Sequence, residues 1–240
     1  MDNLSQARND KHAMRDVAKD PHTWIMSVLY IGTFGSFIGF GFAFGQVLQN
    51  QFGTHFLTGG TVDPVKVAYL TFLGPLIGSL IRPVGGWFAD KVGGAVTTFW
   101  NFLAMAVAAA LILIASKQDS LPLFFVSFVA LFVLSGIGNG STYKMIPAIF
   151  GSKAQLRVAA GADSAAATHE ARRMSNAVIG IAGAIGAGGG VLVNVAFRQS
   201  FLSTGTGNRA YVAFLAYYVV CAVVTWFVYL RTSRYKLAGV

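Results

Sequence analysis

Six apolar stretches, each about 20 residues or longer, alternate along the chain with polar connections. A spanning helix needs about 20 predominantly apolar residues, because the hydrocarbon core is ~30 Å thick and a helix rises ~1.5 Å per residue. The pattern predicts an all-α membrane protein with spans at about 23–48, 65–88, 96–115, 121–150, 173–197 and 211–230. Together they make one transmembrane bundle over 23–231, flanked by polar tails at 1–22 and 232–240. Asp63-Pro64 opens the second span as a cap followed by a first-turn proline. Gly151 to Glu170, Ala-rich with scattered charge, reads as a plain connector or an interfacial helix.

The polar positions set an orientation. Thirteen of the 18 Lys and Arg fall on the side that holds both tails, four fall on the other, and Arg82 lies in neither. Positive charge marks the cytoplasmic side, so both termini are expected there, in a multi-pass protein of the cell (inner) membrane. Composition agrees: 55% of the 240 residues are hydrophobic and 11% charged, with a mean hydropathy of +0.60. Soluble domains run about 25% charged. The net charge of +9 sits in tails and loops and forms no basic groove interleaved with aromatics, so the expected partner is the lipid bilayer and not nucleic acid. The first 20 residues are polar, without the short apolar run of a secretory leader. Cys221 is the one cysteine, which gives no disulfide and no metal-ligand spacing. No metal or other cofactor is expected. The spans hold no nucleophile–base pair, so an enzyme is not expected either.

Arg82 interrupts the apolar run from Tyr69 to Phe88. A charged Arg near the bilayer centre costs about 2.5–3.5 kcal/mol on insertion scales, and its guanidinium does not deprotonate in proteins. It precedes Asp90 by eight residues, or about 12 Å of helix, which places it near the midplane. Pro83 follows and bends the helix. The bland alternative is an ion pair with a carboxylate on another span. All nine acidic residues lie in tails, loops or helix ends, so the chain offers no such carboxylate. The favoured reading is an anion site, and the planar donor fork of Arg suits a planar oxyanion. The spans also lack Asp, Glu and His as proton relays. Coupling then uses residues outside this chain, or one anion is exchanged for another.

Other residues join the picture. Tyr30 and Phe34, four apart, share a helix face and read either as packing or as a hydroxyl donor beside a stacking ring. Gly85, Asp90, Lys91 and Gly93 punctuate a string that resembles the loop signature of the major facilitator superfamily. On the fourth span, Asn139, Ser141 and Thr142 can bond across helices, and Lys144 either snorkels to the interface or enters the cavity as a second cation. Glycine numbers 28, most of it inside the spans, where small-xxx-small pairs such as Gly35/Gly39, Gly41/Gly45, Gly180/Ala184/Gly188 and Gly186/Gly190 let helices approach closely.

From Trp24 to Tyr235 the chain resembles the C-terminal half of the NarK-type nitrate/nitrite porters of the major facilitator superfamily, above all in Tyr30–Gly41, Phe72–Gly94, Gly138–Phe150 and Gly180–Val191. The resemblance implies a fold of two six-helix halves with one site between them, of which these six helices form the C-terminal bundle. It implies that Arg82 is one of two substrate arginines, the other lying in an N-terminal half. Tyr30 matches a tyrosine that bonds the anion, Phe34 a phenylalanine that packs on it, and Gly180 the first glycine of a nitrate-signature segment. Gly183 stands where some members carry serine, and Lys144 where exchanger-type members carry an amide, a departure that points toward proton symport. Residues 1–22 resemble the loop between halves. The expected function is transport of nitrate, nitrite or both by alternating access around the central arginine, together with an N-terminal six-helix half. The alternative is a membrane scaffold without flux of its own.

Overall fold

The computed structural model describes residues 11–58 and 61–231. The tail readings at 1–10 and 232–240 lie outside the described residues. A short helix, α1 (Lys11–Val17), precedes the bundle and packs on its fifth span. The first span is α2 (Pro21–Tyr30), a π-helical turn over Ile31–Gly35, and α3 (Ser36–Phe52). A 3-10 turn and a two-stranded hairpin, β1 (Leu57–Thr58) with β2 (Thr61–Val62), lead to the second span. That span is broken into α4 (Pro64–Leu80) and α5 (Arg82–Val92). Then follow α6 (Gly94–Lys117), α7 (Leu121–Ala159), α8 (Ser164–Thr204) and α9 (Asn208–Thr225), the last extended by a π-helical turn over Trp226–Leu230. Six helical stretches are thus long and apolar enough to cross a bilayer. Large apolar side chains such as Phe42, Tyr69, Trp100 and Val191 are exposed on the outside of the bundle, where lipid replaces water as the solvent.

The caps follow the sequence. Asp63 accepts from the backbone amides of Val65 and Lys66, and Asp20 caps α2 through the amide of His22. The stretch from Gly151 to Glu170 is neither connector nor interfacial helix. It continues α7 to Ala159 and begins α8 at Ser164, leaving only a tight turn between two helices that project together. The 39 residues of α7 correspond to about 58 Å, well beyond the hydrocarbon core. Alanine is the best helix former and so carries both helices past the apolar boundary. Gly161, with φ of 99°, turns the chain, and Asp163 caps α8 by accepting from the amide of Ala166 at 2.7 Å.

The core is a column of rings. Phe40 lies 5.4 Å from both Phe128 and Phe214, and Phe44 stacks on Phe128 at 4.4 Å. Phe132 and Phe197 complete the column. Its members come from α3, α7, α8 and α9, so it fastens four spans to one another. Buried hydroxyls are paired across helices: Ser36 with Tyr218 at 2.8 Å, Thr98 with Ser141 at 2.8 Å, and Thr33 with Thr142 at 3.3 Å. Such bonds hold helices together where hydrocarbon offers no alternative partner.

Glycine sets the closest approaches. A Cβ at Gly35 would lie 2.8 Å from the carbonyl oxygen of Gly186, so the π-helical turn and α8 touch backbone to backbone. The second span meets α7 in the same way, with Gly136 against the Gly78 carbonyl and Gly140 against the Arg82 carbonyl. Gly41 meets only the edge of Pro75, and Gly180 and Gly188 meet nothing within 4 Å.

Candidate functional site

Arg82 sits where the second span breaks. Pro83 brings no amide to the helix ladder, and its ring displaces the carbonyl four residues back. The break falls two residues before the proline, at Ile81, whose own amide still reaches the Ile77 carbonyl at 3.0 Å. Arg82 therefore begins a new helix at the level where α7 contributes Asn139 and Gly140. The contact of Gly140 with the Arg82 backbone holds this height.

The guanidinium lies on an aromatic floor. Its carbon is 4.2 Å from the centre of the Phe37 ring and 5.7 Å from that of Phe34. Tyr30 stands beside Phe34 at 5.3 Å, tilted by 39°. Phe37 escaped the sequence reading, although it follows Phe34 by three positions and Tyr30 by seven, on the same helical face. Among the described residues no carboxylate pairs with Arg82, and its Nε is buried without a hydrogen-bond partner. A buried donor left unsatisfied costs about 1–3 kcal/mol, more when charged.

A cleft of about 460 Å³ opens at this point, lined by Tyr30, Arg82, Trp87, Asn139, Tyr143 and Lys144 together with Pro83, Gly86, Asp90 and Gly140. Five of the residues singled out in the sequence, Tyr30, Arg82, Asp90, Asn139 and Lys144, meet there. Trp87 and Tyr143 are additions that the hydropathy pattern does not single out. Lys144 lines the cleft, and its Nζ donates to Asp90 Oδ2 at 2.9 Å, within the same bundle. Both side chains are about half-exposed at the cleft edge, so the pair faces solvent and contributes little to stability. Lys91 lies over the Trp87 ring at 3.9 Å. Gly85 packs against the Ile137 backbone, and Gly93, with φ of 98°, makes the turn into α6.

Gly180 and Gly183 do not line this cleft; both face open space on α8. The glycine that touches the aromatic floor is Gly186, where a Cβ would come within 2.8 Å of the Tyr30 ring and 3.3 Å of the Phe34 ring. Five glycines from 183 to 190 share one small-residue segment, and spacing alone does not reveal which of them meets a ring.

Six helices long and apolar enough to cross a membrane, the second of them broken before Arg82 at the edge of a cleft, define a multi-pass membrane protein. The family profile of the Major Facilitator Superfamily matches residues 3–169. The chain belongs to that superfamily. It is 36% identical over 235 residues to the nitrate/nitrite transporter NarU of Escherichia coli strain K12, covering 96% of this chain and 49% of that protein. It is 32% identical over 224 residues to the probable nitrate/nitrite antiporter NarK2 of Thermus thermophilus, covering 92% and 45%. A nitrate/nitrite transporter NarU of Salmonella typhimurium matches at 36% over 236 residues. The chain spans about half the length of these curated relatives.

Proposed function

We propose that this bundle is one half of a carrier for nitrate or nitrite, and that Arg82 binds the oxyanion. One observation carries the reading. A guanidinium at the centre of a membrane bundle is held on the Phe37 ring, faces a cleft, and has no carboxylate partner among the described residues. A charge kept at that cost is offset by an anion that comes and goes. The names of the similar proteins narrow the anion to nitrate and nitrite. In this reading Arg82 donates two parallel hydrogen bonds to the planar anion. Tyr30 adds a hydroxyl donor, while Phe34 and Phe37 form the flat wall of the slot.

A second six-helix bundle faces this one across the cleft and brings the opposing cation, and transport is the rocking of the two bundles about the central site. The α7–α8 hairpin and both termini lie on the cytoplasmic side of the inner membrane, following the Lys and Arg bias.

The test is nitrate binding to the purified chain by titration calorimetry, wild type against Arg82→Lys. Lysine keeps the charge and loses the fork. Hydrogen bonds to charged groups contribute about 1.5–3 kcal/mol, so affinity should fall roughly 10- to 150-fold. Unchanged affinity would sink the clamp. Flux into vesicles holding this chain with and without a complementary bundle separates a carrier half from a scaffold.

A further inference from the structure

A second cavity, of about 780 Å³, lies between the hairpin-end halves of α7 and α8. Its lining includes Tyr143, Gln155, Arg172, Ser175, Asn176 and Ile179. Tyr143 also lines the Arg82 cleft and is the one residue that the two linings share. We infer that Arg172 is a capture residue for small oxyanions, at the mouth of a path that runs along α7 and α8, past Tyr143, into the Arg82 cleft. The inference rests on the oxyanion reading of Arg82.

Three independent observations carry it. First, the basic residues near this mouth differ in their partners. Lys153 pairs with Asp20, Arg157 with Glu170 at 2.6 Å, and Arg173 lies 4.0 Å from Asp16. Arg172 lines the cavity, is exposed, and forms no ion pair among the described residues. Second, Arg172, Asn176 and Gly180 follow at four-residue spacing, all exposed on one face of α8. Nothing meets a Cβ at Gly180 or Gly183. The face offers a cation, then an amide, then bare backbone, and Gly183 brings that bare stretch to within one turn of Gly186, which touches the Tyr30 ring. Third, the shared wall is a tyrosine, whose hydroxyl can donate to a passing anion and whose ring can swing. A single cation at a mouth with low-dielectric walls raises the local anion concentration and the rate of entry.

A measurement that needs no knowledge of the substrate tests this. Cys221 is buried, and Cys221→Ala removes it as a competing thiol. In that background Tyr143→Cys places a reporter at the partition, and Ile179→Cys places a second one in the α7–α8 cavity. Each is modified in the detergent-solubilised full chain with an anionic and a cationic methanethiosulfonate reagent of similar size. Arg172→Gln should lower the anion-to-cation rate ratio about threefold or more at both reporters, and high salt should erase the difference. The second reporter serves if the first variant misfolds. An unchanged ratio at the folded reporters overturns the inference, including the case in which Arg172 only holds a lipid headgroup. This readout is blind to nitrate, so its failure is distinct from a failure of nitrate to bind at Arg82.

Discussion

Phe37 and Phe40 stand three residues apart on α3 and face different worlds. Phe40 is fully buried and touches four other rings from three helices. Phe37 is partly buried, with its edge toward Phe132 at 6.1 Å and its face under the Arg82 guanidinium. Both rings lean on the same column, so the cleft has a rigid floor: the core that resists deformation is the surface on which the cation rests. In the column each ring is satisfied by other rings. In the cleft, a charge stands where the column would have placed hydrocarbon. The first arrangement gives stability without chemistry, and the second gives up stability to keep a cation ready.

The largest expected effect breaks the column. Phe44→Ala removes a ring that stacks on Phe128 and should cost about 3–5 kcal/mol, read as a large drop in the unfolding midpoint in detergent. Nitrate affinity should fall with it, since the floor loosens; a destabilised variant with unchanged binding would mean the column and cleft are separate structures.

Next is Arg82→Leu. Anion binding should vanish, yet the protein should become more stable, by up to about 2.5–3.5 kcal/mol, because a midplane charge without a carboxylate partner is removed. A lower unfolding midpoint would instead identify Arg82 as a structural residue.

Phe37→Leu is smaller. It takes away the ring face below the cation, a contact of about 0.5–2 kcal/mol. Nitrate affinity should weaken several-fold while the unfolding midpoint moves little. The reverse pattern would place Phe37 with the column.

The smallest concerns Asp90→Asn. An exposed pair contributes about 0–1 kcal/mol, so stability should hardly change. Lys144 is then free to add charge to the cleft, and nitrate binding should become more sensitive to ionic strength. A flat salt response would confine Lys144 to a purely local role.

How the sequence and the folded chain divide the information is clearest at particular residues. The break before Arg82 was visible because Pro83 removes an amide wherever it stands in a helix. The lack of a carboxylate partner was visible because the acidic residues could be placed without any coordinates. Phe37 was hidden among 20 phenylalanines in the chain, since a hydropathy pattern does not separate a ring that packs on rings from one that carries a cation. The partner of Lys144 was hidden too. Asp90 is 54 residues away in sequence, and only the contact of α5 with α7 brings the two together. The hairpin of α7 and α8 is invisible to hydropathy because its residues are too polar for a span, whereas alanine helicity, a local property, continues regardless of the bilayer boundary.

The sequence by itself determined six helices long and apolar enough to cross a membrane, the bend in the second, and an arginine in an apolar run whose chain carries its acidic residues in tails, loops and helix ends. These follow from local quantities: apolar run length, proline chemistry and charge inventory. Tertiary structure alone decided that Phe37 lies beneath the guanidinium, that Gly186 and not Gly180 or Gly183 makes room for Tyr30 and Phe34, and that Tyr143 lines two cavities. Each of these depends on the rotation and height of one helix against another. Backbone contact at glycines and the interlocking rings of the column fix those two degrees of freedom, and no single segment encodes them.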